Sequence, residues 1–177
     1  MGGIPSRWRT LTGDSLTDPA WAGVYRSFDV ISPWSVNRYR DQTGHDRYVS
    51  QFLEPDLAEA KKAGVDYLPV LFPGYSAYNL SWGGEPFNNV RRQGGQFFWH
   101  QVNNTLQAGA TMLYGAMFDE VDEGTAFYKL IPDKAGIPRE GRFVTLDEDG
   151  YVLPSDWYLR LAGMAFCRVF WPGLLGL

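Results

Sequence analysis

Apolar residues in this chain gather in short runs, and four of the runs read as strands: residues 2–4, 28–32, 66–72 and 111–118. The last three lack clean alternation, as in Tyr67-Leu68-Pro69-Val70-Leu71-Phe72. Such runs suit strands covered on both faces, the habit of parallel sheets. Helical stretches fall between them. Asp18 caps and Pro19 opens a short helix that runs to Tyr25. Pro55 and Asp56 start a second, over residues 57–63, closed by Gly64. A third covers residues 96–108 and is closed by Gly109. After the fourth run comes a long loop, with residues 142–144 reading as a further short strand. Ser155 caps a final helix over residues 156–170, stopped by Pro172.

Strand and helix in repeated alternation imply parallel βαβ units. No glycine-rich GxGxxG segment follows any strand, which disfavours a dinucleotide fold. The strands end instead in polar, aromatic or acidic loops: Ser32-Pro33-Trp34, Phe72-Pro73-Gly74-Tyr75-Ser76 and Phe118-Asp119-Glu120. Chemistry at the C-terminal ends of parallel strands is the habit of (β/α)8 barrels, which need about 250 residues. This chain has 177 and supplies about four βα units. The expected fold is therefore α/β, the C-terminal part of a (β/α)8 TIM-type barrel, with residues 1–177 as one partial-barrel domain. Such a half exposes strand edges. It is expected to need an N-terminal half-barrel or self-association to close.

Composition narrows the function. Hydrophobic residues make up 45% and charged residues 20%, as in a globular chain, and the net charge is −4 with scattered Lys and Arg. That balance offers no nucleic-acid partner. No apolar run approaches the ~18 residues of a membrane span, and Met1–Arg7 lacks the apolar core of a signal peptide. Localisation stays open, because an address signal would lie on the missing half. Cys167, the single cysteine, reads as a buried thiol in an apolar stretch. Aromatic residues reach 16%, and several stand in loops rich in Gly, Pro and Asn, where they suit stacking on sugar rings or packing beneath the loops.

The densest chemistry is Asp119-Glu120-Val121-Asp122-Glu123-Gly124-Thr125, with four carboxylates in five positions directly after an apolar run. Crowded like charges raise at least one pKa, and a raised and an unraised carboxyl together provide the acid and the base of glycoside hydrolysis. A divalent-cation site and a solvated acidic turn are the alternatives. Trp34, Tyr75 and Tyr78 fall just past strand ends and are candidate sugar platforms. Asn79, Asn88, Arg91 and Arg92 could hydrogen-bond sugar hydroxyls, although a solvated or salt-bridged role suits the arginines better. Asp29 reads as a barrel-lining group or a strand start. His45 reads as a loop histidine and His100 as a structural residue on a helix. Standing far apart without ligand spacing, they argue against zinc. No metal and no cofactor are expected.

The segment Phe118-Asp119-Glu120-Val121-Asp122-Glu123-Gly124-Thr125 resembles the Glu-x-x-Glu-Gly-Thr signature of glycoside hydrolase family 99, within a family 71/99-like group. Gly3-Ile4-Pro5-Ser6-Arg7-Trp8-Arg9-Thr10, Phe28-Asp29-Val30-Ile31-Ser32-Pro33-Trp34, Tyr67 through Ser76 and Pro154-Ser155-Asp156-Trp157-Tyr158-Leu159 resemble the same group, in the order of its C-terminal half. The resemblance implies a retaining glycosidase that acts through a 1,2-anhydro sugar. Glu120 is then the base toward the 2-hydroxyl and Glu123 the general acid and later base. Trp34, Tyr75, Tyr78, Asn79, Asp119 and Asp122 are the expected substrate-binding residues, and the implied substrate is a polysaccharide or glycan, with α-mannosides as the family precedent. Family 99 enzymes typically carry Trp-His between the glutamates where this chain has Val121-Asp122, which leaves the α-mannoside specificity open. A non-catalytic carbohydrate-binding remnant, or an inactive fragment of a glycosidase, is the alternative.

Overall fold

A computed structural model describes residues 1–170, and every pairing between its strands is parallel. Strand β1 (Gly2–Ile4) lies beside β2 (Val30–Pro33), with Gly2 opposite Ile31 and Ile4 opposite Pro33. Strand β2 pairs on its other side with β3 (Asp66–Tyr67), and β4 (Val70–Leu71) pairs with β5 (Tyr114–Gly115). Helix α1 (Ala20–Tyr25) joins β1 to β2. Helices α2 (Gln42–Tyr48) and α3 (Glu54–Ala63) join β2 to β3. Helix α4 (Gln96–Gln107) joins β4 to β5, and α5 (Trp157–Phe170) follows a long loop. The parallel βαβ order is the one the sequence pattern implies.

The single strand expected over residues 66–72 is two strands with different partners. Pro69 has no N–H, so the ladder to β2 ends at the Leu68 N–H, which donates to the Ile31 carbonyl at 2.9 Å. Beyond that point serine hydroxyls take over. Ser32 Oγ donates to the Leu68 carbonyl at 3.0 Å, and Ser35 Oγ donates to the Val70 carbonyl. On the opposite edge the Tyr114 and Ala116 N–H groups donate to the Pro69 and Leu71 carbonyls at 2.9 and 2.8 Å. The strand expected over residues 111–118 is correspondingly short. Past Ala116 the chain bonds to its own next loop instead, with the Met117 N–H donating to the Thr125 carbonyl at 3.1 Å. Residues 142–144 form no strand.

Helix α2 was not apparent in the sequence, because Gln42-Thr43-Gly44-His45-Asp46-Arg47-Tyr48 has no apolar periodicity. It forms because the Asp41 carboxylate accepts the Gly44 N–H at 2.6 Å, an N-cap, and because His45 and Tyr48 turn inward on one face. A π-helical stretch, Val49–Leu53, runs from α2 straight into α3. Pro55 therefore sits in the first turn of α3 rather than after a loop. Gly64 ends α3 in the left-handed conformation (φ 69°), as expected, donating to the Ala60 and Lys61 carbonyls. Helix α5 is described as far as Phe170, and Pro172, the expected stop, lies outside the described residues.

Aromatic residues supply the interior. Trp8, Tyr39, Tyr67, Phe72 and Phe97 are all buried around Ile31 and Leu53 in one cluster. A second cluster holds Phe98, Val102, Phe127, Tyr158 and Leu161 between α4 and α5. Much of the aromatic content is thus core rather than loop platform. Two buried polar side chains are tied to several partners each. The buried Asp56 carboxylate accepts from Trp8 Nε1 at 2.9 Å and from Arg9 Nε at 2.6 Å. The buried Gln101 amide closes the end of β4: its Oε1 accepts the Phe72 N–H at 3.2 Å and its Nε2 donates to the Phe72 carbonyl at 2.8 Å. This fixes the backbone where the loop toward Tyr75 departs.

Among the described residues no strand pairs with the outer edges of β1 and β5. Apolar surface accompanies the β5 edge: Phe118 is 63% exposed, and a cleft of about 560 Å³ runs between Leu113 and Phe118 on one side and Leu159 and Val169 on the other. An uncovered parallel edge with apolar flanks is a template for association. The chain is expected to self-associate, or to melt without a single cooperative transition. A monomer by analytical ultracentrifugation with a two-state calorimetric melt contradicts this.

Candidate active site

The loops that leave the C-terminal ends of β4 and β5 are bonded to each other, and this brings the acidic segment over Tyr75. The Ser76 N–H donates to the Glu123 carbonyl at 2.7 Å. Asn79 Nδ2 donates to the Asp122 and Arg142 carbonyls, each at 2.9 Å. Within the loop, the Thr125 N–H closes on the Glu120 carbonyl at 3.1 Å, and the Gly124 N–H on the Val121 carbonyl at 3.2 Å. Gly124 takes φ 66°, and a Cβ there would stand 2.9 Å from Val144 Cγ2. The Glu-Gly-Thr part of the segment therefore requires glycine for both conformation and space.

Beneath the loop lies Arg92. Its guanidinium is buried, donating from Nη2 to the Gly124 carbonyl at 2.8 Å and from Nη1 to the Ala126 carbonyl at 3.2 Å. It also lies 4.6 Å over the Tyr158 ring. The expected solvated role for Arg92 is therefore corrected: it holds the floor of the acidic loop. Arg91, its neighbour, is exposed. Arg92 could not be singled out in a polar loop with two adjacent arginines, since either could have pointed inward.

The carboxylates themselves are unengaged. Among the described residues no side chain hydrogen-bonds or ion-pairs with those of Asp119, Glu120, Asp122 or Glu123. Asp119 and Asp122 are exposed, and Glu120 and Glu123 are half-buried. Burial first, then the charges of Glu120 and Asp122, push the Glu123 carboxyl above the usual range. The Tyr75 phenol is raised as well, by burial and then by Glu123, Glu85 and Glu120, so it stays protonated beside the two glutamates. Antiparallel bonds to Val90, at 3.0 and 2.9 Å, fix the Tyr75 backbone. Glu120, Glu123 and Tyr75 are thus brought within range of one another's charge.

The remaining candidates divide. Trp34 stands at the end of β2, 38% exposed, with its backbone N–H donating to the Ile4 carbonyl at 3.0 Å. Tyr78 packs edge-on against Phe87 at 5.9 Å with the Arg142 guanidinium 4.8 Å over its ring, so part of its surface is occupied by the loop. Asn79 spends its amide N–H groups on loop carbonyls. Asn88 donates to Asp149 at 2.9 Å, which also accepts the Gln93 N–H. Asp29 is exposed just before β2. Trp82, not singled out in the sequence, is 98% exposed in the loop after β4; position alone could not separate it from the buried tryptophans. A group suited to a metal ion lies elsewhere, on the helices: His45, Asp46 and His100. Burial first, and His100 second, push the His45 imidazole down to about 4, against the opposing pull of Asp46. Among the described residues no helix is long and apolar enough to cross a membrane.

Parallel βα units with unpaired carboxylates at the strand ends define the class: an α/β scaffold with a candidate acid–base site at the C-terminal edge of its strands. In structure the chain is similar to the GH99 endo-alpha-mannosidase from Bacteroides thetaiotaomicron, with a TM-score of 0.58 and 16% identity, over 80% of this chain and 38% of that one. It is similar also to that enzyme in complex with bis-tris-propane, with a TM-score of 0.59 and 17% identity, over 80% of this chain and 40% of that one. The fold is glycoside hydrolase family 99-like, and the chain spans 38–40% of the length of these structures. No family model matches the chain, and no curated protein matches it.

If Arg92 holds the loop, its replacement should be felt in stability. Arg92→Met leaves two buried carbonyls without donors, at about 1–3 kcal/mol for each. Urea denaturation should show the loss, with helix content by circular dichroism retained. An unchanged midpoint would mean that the loop is held by other contacts.

Proposed function

We propose that this chain carries the acid–base pair of a retaining glycoside hydrolase acting on a polysaccharide or glycan, within the C-terminal part of a (β/α)8 barrel. The observation that carries the reading is the state of Glu120 and Glu123. They are two half-buried glutamates on a loop anchored by a buried arginine, free of ion pairs among the described residues, one with its pKa raised beside the other. A carboxylate kept only for stability would be paired, as Asp56 is with Arg9. The fold likeness to family 99 structures and the Glu-x-x-Glu-Gly-Thr pattern point the same way.

In this reading Glu120 accepts the proton of the sugar 2-hydroxyl while O2 attacks C1. Glu123 donates its proton to the departing glycosidic oxygen, and a 1,2-anhydro sugar results. Glu123, now ionised, then takes a proton from water as that water attacks C1, and Glu120 returns its proton to O2. The two glutamates must titrate apart for this, one protonated while the other is ionised, and like charges at close range impose that separation. Tyr75 and Trp34 offer aromatic surface to the sugar, with the exposed part of Tyr78 at the margin. Asn79 acts through the loop it ties down. Asp119 and Asp122, both exposed, accept from sugar hydroxyls in this reading. An α-mannoside is the first substrate to test, and the residues present require no cofactor for these steps.

A second reading is a carbohydrate-binding remnant without turnover. It is favoured by Val121-Asp122 between the glutamates. Binding of α-manno-oligosaccharides without release of reducing ends distinguishes it from the first.

In a protein containing this chain that shows turnover, Glu120→Gln and Glu123→Gln should each lower hydrolysis by about 10²–10⁴-fold. Sugar binding by titration calorimetry should be retained. Normal turnover in both variants refutes the assignment. A pH profile probes Glu123 separately. Asp122→Asn removes a like charge beside Glu123, so the Glu123 pKa falls and the acid loses its proton at lower pH. The alkaline limb of kcat/KM should therefore move to lower pH, and an unmoved limb would show that Glu123 is not the acid.

A further inference from the structure

We propose that His45, Asp46 and His100 form a binding site for one divalent ion of the zinc type, where α2 faces α4 and away from the acidic loop. Their ligand atoms all lie within 4.8 Å of one another. His45 and Asp46 are neighbours on α2. His100 stands on α4, with Asn104 one turn further along the same face. His100 Nε2 and Asp46 Oδ1 are 2.6 Å apart. A carboxylate oxygen and an imidazole nitrogen at that separation share a hydrogen, and the same two atoms, once slightly apart, can bind one metal ion in its place.

Two further observations favour the metal. His45 is 1% exposed, and its Nδ1 has no hydrogen-bond partner. Buried polar atoms are seldom left in that state. A proton shared by His100 and Asp46 gives the His45 ring nothing, whereas a metal ion takes a third ligand. Asn104 Nδ2, meanwhile, donates to Asp46 Oδ1 at 2.7 Å and lies 3.1 Å from His100 Nε2. It thereby orients the carboxylate, as residues behind metal ligands do.

The donor set names the class of ion. Two imidazoles and one carboxylate suit zinc and other late first-row divalent ions, whereas magnesium and calcium take oxygen ligands. Three protein ligands leave a fourth position open to water. Zinc bonds of ~2.0–2.1 Å in a tetrahedron set ligand atoms roughly 3.3 Å apart. The cluster reaches that spacing if His100 and Asp46 open slightly and His45 closes. Their side chains, 24% and 52% exposed, have room to turn. A cleft of about 430 Å³ beside His100, lined also by Gln42 and Asn103, offers a path for the ion. Bound there, the ion cross-links α2 to α4.

The chain's two histidines are both in this cluster, so imidazole-bound metal can report no other place. The test uses the full chain without a histidine tag, stripped with chelator, and titrated with zinc chloride in a calorimeter and with cobalt chloride by visible absorption. The expected result is one equivalent of zinc bound, cobalt bands of a nitrogen-ligated site, and a higher Tm with zinc. His100→Ala and Asp46→Asn, at positions with solvent access, should each weaken zinc binding at least ~100-fold, and Asn104→Ala by about 10–100-fold. His45→Ala is included, but the exposed positions carry the test should it fail to fold. Absence of zinc binding, or equal binding in folded His100→Ala and Asp46→Asn, overturns the proposal.

Discussion

Burial of the Arg92 guanidinium removes a full charge from water, a loss of several kcal/mol that its surroundings must offset. Three kinds of partner do so: the Gly124 and Ala126 carbonyls, the face of Tyr158, and the field of Asp149. Each belongs to a different part of the chain. The carbonyls lie on the acidic loop, Tyr158 on α5, and Asp149 in the long connection before it. Asp149 in turn accepts from Gln93 and Asn88, on the approach to α4. One cation thus requires the acidic loop, α5 and the start of α4 to be in place together. The acceptors are the first and third residues after Glu123, so the constraint falls on the backbone that aims the glutamates, and their carboxylates have no hydrogen-bond or ion-pair partner among the described residues.

The order of elements could be read from the apolar runs because strands of parallel sheets tend to carry near-continuous apolar sequence, a simple signal that marks even β5, whose two residues are exposed. What could not be read was partnership. Residues 66–72 form one apolar run, but Pro69 divides it between β2 and β5, and the hydroxyls of Ser32 and Ser35 complete the divided edge. Nothing local to the run records that exchange. Helix α2 was invisible for the opposite reason. Its stability comes from a cap at Asp41 and from inward-facing His45 and Tyr48, so it carries no apolar stripe. Aromatic abundance misled in part: Tyr39, Tyr67, Phe72 and Phe97 fill the core, and their composition alone is equally compatible with a sugar-stacking surface.

For the site, the acidic segment stood out because four carboxylates after an apolar run are rare without a use. Their lack of ion pairs, and the nearness of Tyr75, are properties of the folded chain. Arg92 shows what spacing omits, since its partners are backbone carbonyls more than thirty positions away, and any residue type supplies a carbonyl. The same holds for His45 and His100. Their separation in sequence argued against a shared ligand, yet the packing of α2 on α4 brings the rings to 5.6 Å. Sequence spacing tests metal sites built on one hairpin or one helix. It is silent on those assembled between crossovers.

The position of the acidic loop bears on how far this chain can go alone. A general acid works near neutral pH when its carboxyl is held well above the ordinary range, and desolvation is the strongest means to that end. Glu123 is raised, with burial the leading cause, but it remains half-buried, and Asp119 and Asp122 beside it are exposed. The loop follows β5, the strand whose outer edge has no partner among the described residues. Chain laid against that edge, whether a further set of βα units or a second copy, would stand next to the carboxylates. It would remove water from Glu123 and strengthen the field of Glu120 upon it. Under the proposed function, closing the sheet and tuning Glu123 as the acid are then one event. In that reading, the apolar flank of β5 and the incomplete burial of Glu123 point to the same surface, the outer edge of β5.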